Sequence, residues 1–284
     1  MTAGRKHREP WRARKDDNHD VNYRQVVDRL SEQSRQVIGL AQADLRELMA
    51  YVDELTPAAG RDLMIDALPQ LVSSYGDIAA AQALEWYADL REAERVPTSF
   101  TPRAASGVEA EKVVAETRRL AGGLWEGQTV EVTRRLADRL NLWVHYASRE
   151  TIVLNSQLDP TQARFARVPR GPKTCAFCEM LASRGFVYAS SNTAGEINKF
   201  HSHCDCEIVP SWKGRTAFIH GYDPDAMYDR YRAARELVIE SGGDRNDEYL
   251  ITEKMRRLFP EKYKDGVGAG GRSSGVGRAW RADV

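Results

Sequence analysis

Between Val21 and Leu55 the apolar positions Leu30, Val37, Ala41, Leu45, Leu48, Val52 and Leu55 are separated by three, four or seven residues, the spacing of one helix face. That pattern predicts a long amphipathic helix. Thr56 and Pro57 then supply an N-cap and a first-turn proline for a second helical stretch through "SSYGDIAAAQALEWYADLREAERV", with Pro69 as the point where it can break. Two prolines among small polar residues in "VPTSFTPRAASG", 96–107, predict a loop. Helical spacing resumes from Val108 to Leu120, stops at Gly122, Gly123 and Gly127, and continues from Thr129 to about Leu154. In that last stretch Val132, Leu136, Leu140, Trp143, Val144 and Ala147 share a face. Trp86, Tyr87, Trp125, Trp143 and Tyr146 are expected in the core rather than around a cofactor, and His145 on the helix surface or in the core.

The texture changes at "DPTQARFARVPRGPKTC", where Pro160, Pro169, Gly171 and Pro172 exclude a continuous helix. "FARV", "GFVYASS" and "CEIVPSW" read as short strands around turns, and "AFCEMLAS" as a helix closed by Gly185 in the left-handed region. Asp223 and Pro224 open a further helix, and another fits "NDEYLITEKMRRLF". The first 20 residues and the glycine- and serine-rich end "GVGAGGRSSGVGRAWRADV" have little to bury and are expected to be flexible.

Composition narrows the function classes. The chain has 284 residues, 42% of them hydrophobic, enough for one large domain or two ordinary ones, and a formal net charge of zero. No global basic field marks it for nucleic acid or an anionic membrane, so any electrostatic function is local. No apolar run approaches the roughly 18 residues of a membrane span, and the basic start (Arg5, Lys6, Arg8, Arg12, Arg14, Lys15) lacks the apolar core of a secretory signal. A reducing, intracellular setting is expected. There, clustered cysteines are metal ligands or redox groups more often than disulfides.

All four cysteines, and two of the six histidines, fall between residues 175 and 206. Cys175 and Cys178 form C-x-x-C, and His201, His203, Cys204 and Cys206 form H-x-H-C-x-C, with 25 residues between Cys178 and Cys204. Thiolates with imidazole suit zinc, which takes four tetrahedral sulfur or nitrogen ligands. If 201–206 is one regular strand, alternation puts Cys204 and Cys206 on one face and the histidines on the other, which favours Cys175, Cys178, Cys204 and Cys206. A turn before Cys204 brings His201 in and one cysteine out; both sets remain open, and His203 is the weakest candidate. A structural ion would supply folding free energy to residues 165–212, whose apolar side chains are few. The alternatives are reduced thiols, a redox pair without the redox fold around it, or a catalytic zinc with Glu196 or Glu207 as base. No catalytic or cofactor-binding residue is assigned: the chain shows no phosphate-cradling glycine loop, no evident Ser-His-Asp order and no convincing carboxylate pair, and His220 sits in a loop without a second ligand.

The string "CAFCEMLASRGFVY", a polar spacer and then "FHSHCDCEIVPSW" resembles the minor capsid proteins of tailed phages related to the Mu head morphogenesis protein F, in the version common among phages of actinobacteria. The matching positions are Cys175, Cys178, His201, Cys204 and Cys206, with "ASRG" and "VP" in the same order; the resemblance covers about residues 165–212, and the helices before it agree in architecture only. It implies a virion protein present in few copies inside the procapsid, against the portal, active in head assembly or genome delivery. Relatives that carry an enzymatic or toxin domain place it after the motif, where this chain has only about 70 residues.

The expected fold is mainly α: a flexible basic arm (1–20), a helical domain (21–158), a small zinc-stapled α+β domain (159–215), C-terminal helices (216–262) and a tail (263–284). The expected function is a minor capsid or head morphogenesis protein, not an enzyme. Its expected partners are the portal and other capsid proteins, with packaged DNA touched through the N-terminal arm, and no membrane or small-molecule substrate. Its expected place is the capsid interior, and the host cytoplasm during assembly. The competing classes are a zinc-dependent nuclease or hydrolase and a zinc-ribbon nucleic-acid module. Against the latter, Arg184 and Lys199 stand beside Glu179, Glu196 and Asp205, which is no basic patch.

Overall fold

The computed structural model describes residues 21–171, 173–189, 206–212 and 217–265. The expected arm (1–20) and all but the first residues of the expected tail lie outside these.

The chain is mainly helical, and the first two long helices begin at side-chain caps. In α1 (Tyr23–Asp53) the Asn22 side chain accepts from Gln25 N, and in α2 (Pro57–Ala93) Thr56 accepts from Ala59 N with Pro57 in the first turn. α2 runs unbroken through Pro69. The proline removes one backbone donor, but Leu68 and Val72 on either side are buried at 1% and 2% exposure, and packing holds the helix through it. A loop over 97–109 leads to α3 (Ala110–Ala121), a 3₁₀ turn (Gly122–Glu126) and, after Gly127 at φ +66°, α4 (Thr129–Leu158). The loop is tied down: Asn155 of α4 exchanges hydrogen bonds with the Arg103 backbone, and Thr151 Oγ1 accepts from Ala105 N.

After α4 come β1 (Arg164–Pro169), α5 (Ala176–Ala182), β2 (Cys206–Ser211), α6 (Pro224–Glu240) and α7 (Glu248–Leu258). β1 and β2 pair antiparallel, with Arg167 opposite Ile208, Val168 opposite Glu207 and Pro169 opposite Cys206. The expected strand "GFVYASS" contributes one bridge, Tyr188 to Phe165, and its last two residues lie outside the described part. Gly185 closes α5 at φ +67°, as its position predicts.

Three apolar clusters hold the described residues together. One joins α1, α2, α3 and the first half of α4 through Val37, Leu45, Met64, Leu68, Leu120, Leu136 and Leu140. A second joins the first turns of α1, the last of α2 and the second half of α4 to both strands, through Val27, Trp86, Tyr87, Ile152, Phe165, Val168, Ile208 and Trp212. The third packs α5 against α6, α7 and Tyr263. The core is therefore continuous across residues 158–159, where the sequence places a domain boundary. The strand segment, short of apolar side chains, completes its core with the helices.

Two further placements differ from the sequence reading. Trp86, Tyr87 and Trp143 are buried and Tyr146 is half-buried, but Trp125 is 54% exposed at the bundle end, because the 3₁₀ turn carries it outward. Tyr263, at the start of the expected tail, is 1% exposed and donates to Glu179 Oε1 at 2.7 Å. His145 is a core residue at 4% exposure.

Candidate functional site

The cysteine window folds around the β1–β2 pair. Alternation puts Phe165, Arg167, Cys206 and Ile208 on one face of the pair and Val168 and Glu207 on the other. Both faces are covered, since every residue of β2 and all but the first of β1 are buried. Cys206 opens β2, and its Sγ accepts from Arg167 Nε at 3.3 Å and Nη2 at 3.1 Å. Its carbonyl accepts from Arg149 Nη2 of α4 at 2.9 Å. On the opposite face Glu207 accepts from Ser31 Oγ of α1 at 3.2 Å and lies 3.8 Å from the Arg170 guanidinium. Arg149, Arg167 and Glu207 are at most 1% exposed. Burying charges at this density costs several kcal/mol per ion unless each is met by charge and hydrogen bonds, so the cluster is built to a single geometry.

C-x-x-C forms the first turn of α5. Cys175 is the N-cap, and its Sγ accepts from Cys178 N at 3.2 Å. Cys175 and Cys178 are 3% and 0% exposed and share one apolar cluster with Cys206; all three are free of disulfides. His201 and Cys204, the other two expected ligands, lie outside the described residues, as do His203 and Glu196. Among the described residues no three His, Cys, Asp or Glu side chains converge as metal ligands do. The donor chemistry nevertheless suits zinc. Zinc sites are built from cysteine sulfur and histidine nitrogen, and the first turn of α5 presents two sulfurs in one apolar cluster with the Cys206 sulfur.

Glu207 cannot serve as an accessible base: it is 0% exposed and held by Ser31. His220 is exposed in its loop, where its carbonyl accepts from Arg24 Nε.

Two more charged knots anchor this half of the molecule. Asp159, the C-cap of α4, accepts from Arg91 Nε at 2.8 Å, Trp212 Nε1 at 2.9 Å, Tyr87 Oη at 3.2 Å and Thr161 N and Oγ1 at 3.0 and 2.6 Å. Burial alone raises its pKa; the hydrogen bonds from Arg91, Thr161 and Trp212 outweigh that and hold it at about 2. Trp212 thus closes the strand segment onto α2, its ring edge-on to Tyr87 at 5.7 Å. Glu179 of α5 accepts from Arg230 Nε of α6 and from Tyr263 Oη, both at 2.7 Å.

Sequence reasoning found the cysteines and missed these charges. One signal was available in "RFARVP", where Arg167 interrupts an apolar strand with strand residues on both sides. Arg149 and Asp159 gave none, because nothing local says that the end of α4 is enclosed.

Comparisons with known proteins bear on the whole arrangement. A family model described as VG15 protein matches residues 22–234, which takes in the bundle, both strands and the cysteine window. The Gene 15 protein of Mycobacterium phage L5 is 27% identical over an alignment of 157 residues, covering 40% of this chain and 49% of that protein. The Gene 15 protein of Mycobacterium phage D29 is 29% identical over 110 residues, covering 26% of this chain and 40% of that protein. The chain thus spans about half or less of the length of these curated relatives. No solved structure matches it.

Proposed function

The chain belongs to the VG15 protein family and is itself similar to two mycobacteriophage proteins, and from that premise we propose that it is a minor capsid protein of the Mu F-like type. In this reading it acts inside the procapsid against the portal and serves head assembly or genome delivery without chemistry of its own. Its partners are the portal and other capsid proteins, with packaged DNA reached through the N-terminal arm. The observation that carries the reading is the burial of the described part of the motif. Cys175, Cys178, Cys206 and Glu207 are all at most 3% exposed, inside a core shared with the long helices. A catalytic zinc needs an open coordination position and a path for substrate; a buried motif serves the fold.

A structural zinc ion belongs to the same proposal, held by Cys175, Cys178 and Cys206 together with Cys204, His201 or both in place of one cysteine. Bound there, the ion would tie α5 to β2, and Arg167 would hold the Cys206 sulfur from the opposite strand.

The first test is elemental analysis of the purified, reduced full chain beside Cys178→Ser, Cys206→Ser and His201→Ala. One zinc per chain, lost with a lowered Tm in the cysteine variants, is the expected result, and the histidine variant decides the ligand set. Metal-free reduced protein would remove the zinc part. The assembly role is tested by infecting with a phage whose copy of this gene carries an early stop: empty or unassembled heads are expected, and normal DNA-filled heads overturn it. Chelator-sensitive DNA cleavage by the purified protein, abolished in folded His203→Ala, would favour the nuclease reading instead.

A further inference from the structure

At the end of the bundle remote from the cysteine window, α2, α3 and the 3₁₀ turn enclose an open depression of about 470 Å³, lined by Arg61, Asp62, Ile65, Arg118, Gly122 and Trp125. That lies within the roughly 300–1,000 Å³ of ligand clefts. Trp125 is 54% exposed there, with the Arg61 guanidinium 5.7 Å from its ring centroid. Arg61 is paired with Asp62 at 2.7 Å, whereas Arg118 has no hydrogen-bond or ion-pair partner among the described residues. Gly122 leaves open space, since a Cβ on it would meet nothing within 4 Å. Five residues beyond the tryptophan, at the start of α4, Val130 is 86% exposed. Tryptophan and arginine are the side chains that most often dominate binding at protein interfaces.

We infer that this depression is a docking site for an acidic segment of another protein, which lays an apolar side chain against the indole and Ile65 and a carboxylate on Arg118. The charges select that occupant. Arg118 offers one free guanidinium, suited to a discrete carboxylate. Arg61 offsets Asp62, so the lining is left with the single uncompensated charge of Arg118, which matches one carboxylate and falls short of a continuous phosphate backbone. The inference rests on the assembly reading, for which it supplies the contact surface.

The probe is a fluorescein-labelled helical peptide with glutamate and leucine four residues apart, titrated against the full chain by anisotropy, with a lysine–leucine peptide and oligothymidine as controls. Selective binding of the acidic peptide is expected, weakened about tenfold or more by Arg118→Glu, by Trp125→Ala and by Gly122→Leu, which fills the depression. All three sites are on the surface, and unchanged melting curves check the fold. In infected cells, a photo-crosslinking phenylalanine at Gly122 is expected to join an acidic segment of a second virion protein. Equal affinity for all probes, tighter binding of oligothymidine, or a crosslink to DNA or to a second copy of this chain overturns the inference. If heads incorporate Arg118→Glu and Trp125→Ala at the wild-type level, the docking site is wrong and the assembly role stands. If the unaltered protein is absent from heads, the assembly role fails, and the peptide titration still decides the site.

Discussion

The two ends of the same three helices are built on different terms. Toward the α1–α2 turn, α1, α2 and α4 meet through Val37, Leu45, Val52, Met64, Leu68, Leu136 and Leu140, and the buried Thr117 returns its hydroxyl to Val113 O within its own helix. Toward the strands the same helices bury Arg91, Arg149 and Asp159 against Arg167, Glu207 and Trp212. Apolar contacts depend on volume and tolerate rearrangement. Charged contacts depend on direction, and each is costly if its partner moves. The bundle end is therefore generic. The strand end has one arrangement, as suits a segment of two short strands that must be located by the helices it packs against.

That contrast can be broken first at Asp159. Asp159→Ala leaves Arg91, Tyr87 and Trp212 without their shared acceptor. It is expected to cost about 3–5 kcal/mol in urea denaturation, the range for removing one partner of a buried pair. A loss below about 1 kcal/mol would mean that the knot is incidental. At the other end Leu136→Ala, at a 1% exposed site, is expected to cost about 3 kcal/mol by cavity formation. A volume-conserving Leu136→Met there should cost under about 1.5 kcal/mol. No such benign replacement exists for Asp159, and that asymmetry is the sharper comparison.

Acid separates the two ends without mutation. Asp159 titrates at about 2 in the folded chain against an ordinary 3.8. Its contribution is therefore complete above the ordinary value and is lost as pH falls toward and through 2, at about 2 kcal/mol in all. Stability measured from pH 5 to pH 2 should fall more in the wild type than in Asp159→Ala by that amount, and parallel curves would refute the assignment. The smallest effect belongs to the surface. Arg35→Gln removes an exposed pair with Glu32 within one helix and should change stability by at most about 0.5 kcal/mol in the same assay.

Much of this fold could be read from the chain. The caps at Thr56 and Asp223 and the helical spacing along the chain place the helices to within a few residues, because helix signals are local. "FARV" and "CEIVPSW" are strands for the same reason. The unbroken course of α2 through Pro69 was not legible, because burial of Leu68 and Val72 overrides the local penalty. Nor was the exposure of Trp125: an aromatic residue next to helical spacing reads as core until the 3₁₀ turn is seen to swing it out.

The candidate site divides along the same line. The type and spacing of Cys175, Cys178, His201, Cys204 and Cys206 are properties of the sequence, and zinc as their expected ligand follows from thiolate and imidazole chemistry alone. Only the tertiary structure decided that Arg167 reaches the Cys206 sulfur, that Arg149 reaches its carbonyl from a helix 57 residues earlier, and that the strand segment shares its core with the long helices. Periodicity and capping act within a few residues and are written locally. Enclosure of a charge depends on which distant surfaces close over it, and that is set only when the whole chain has packed.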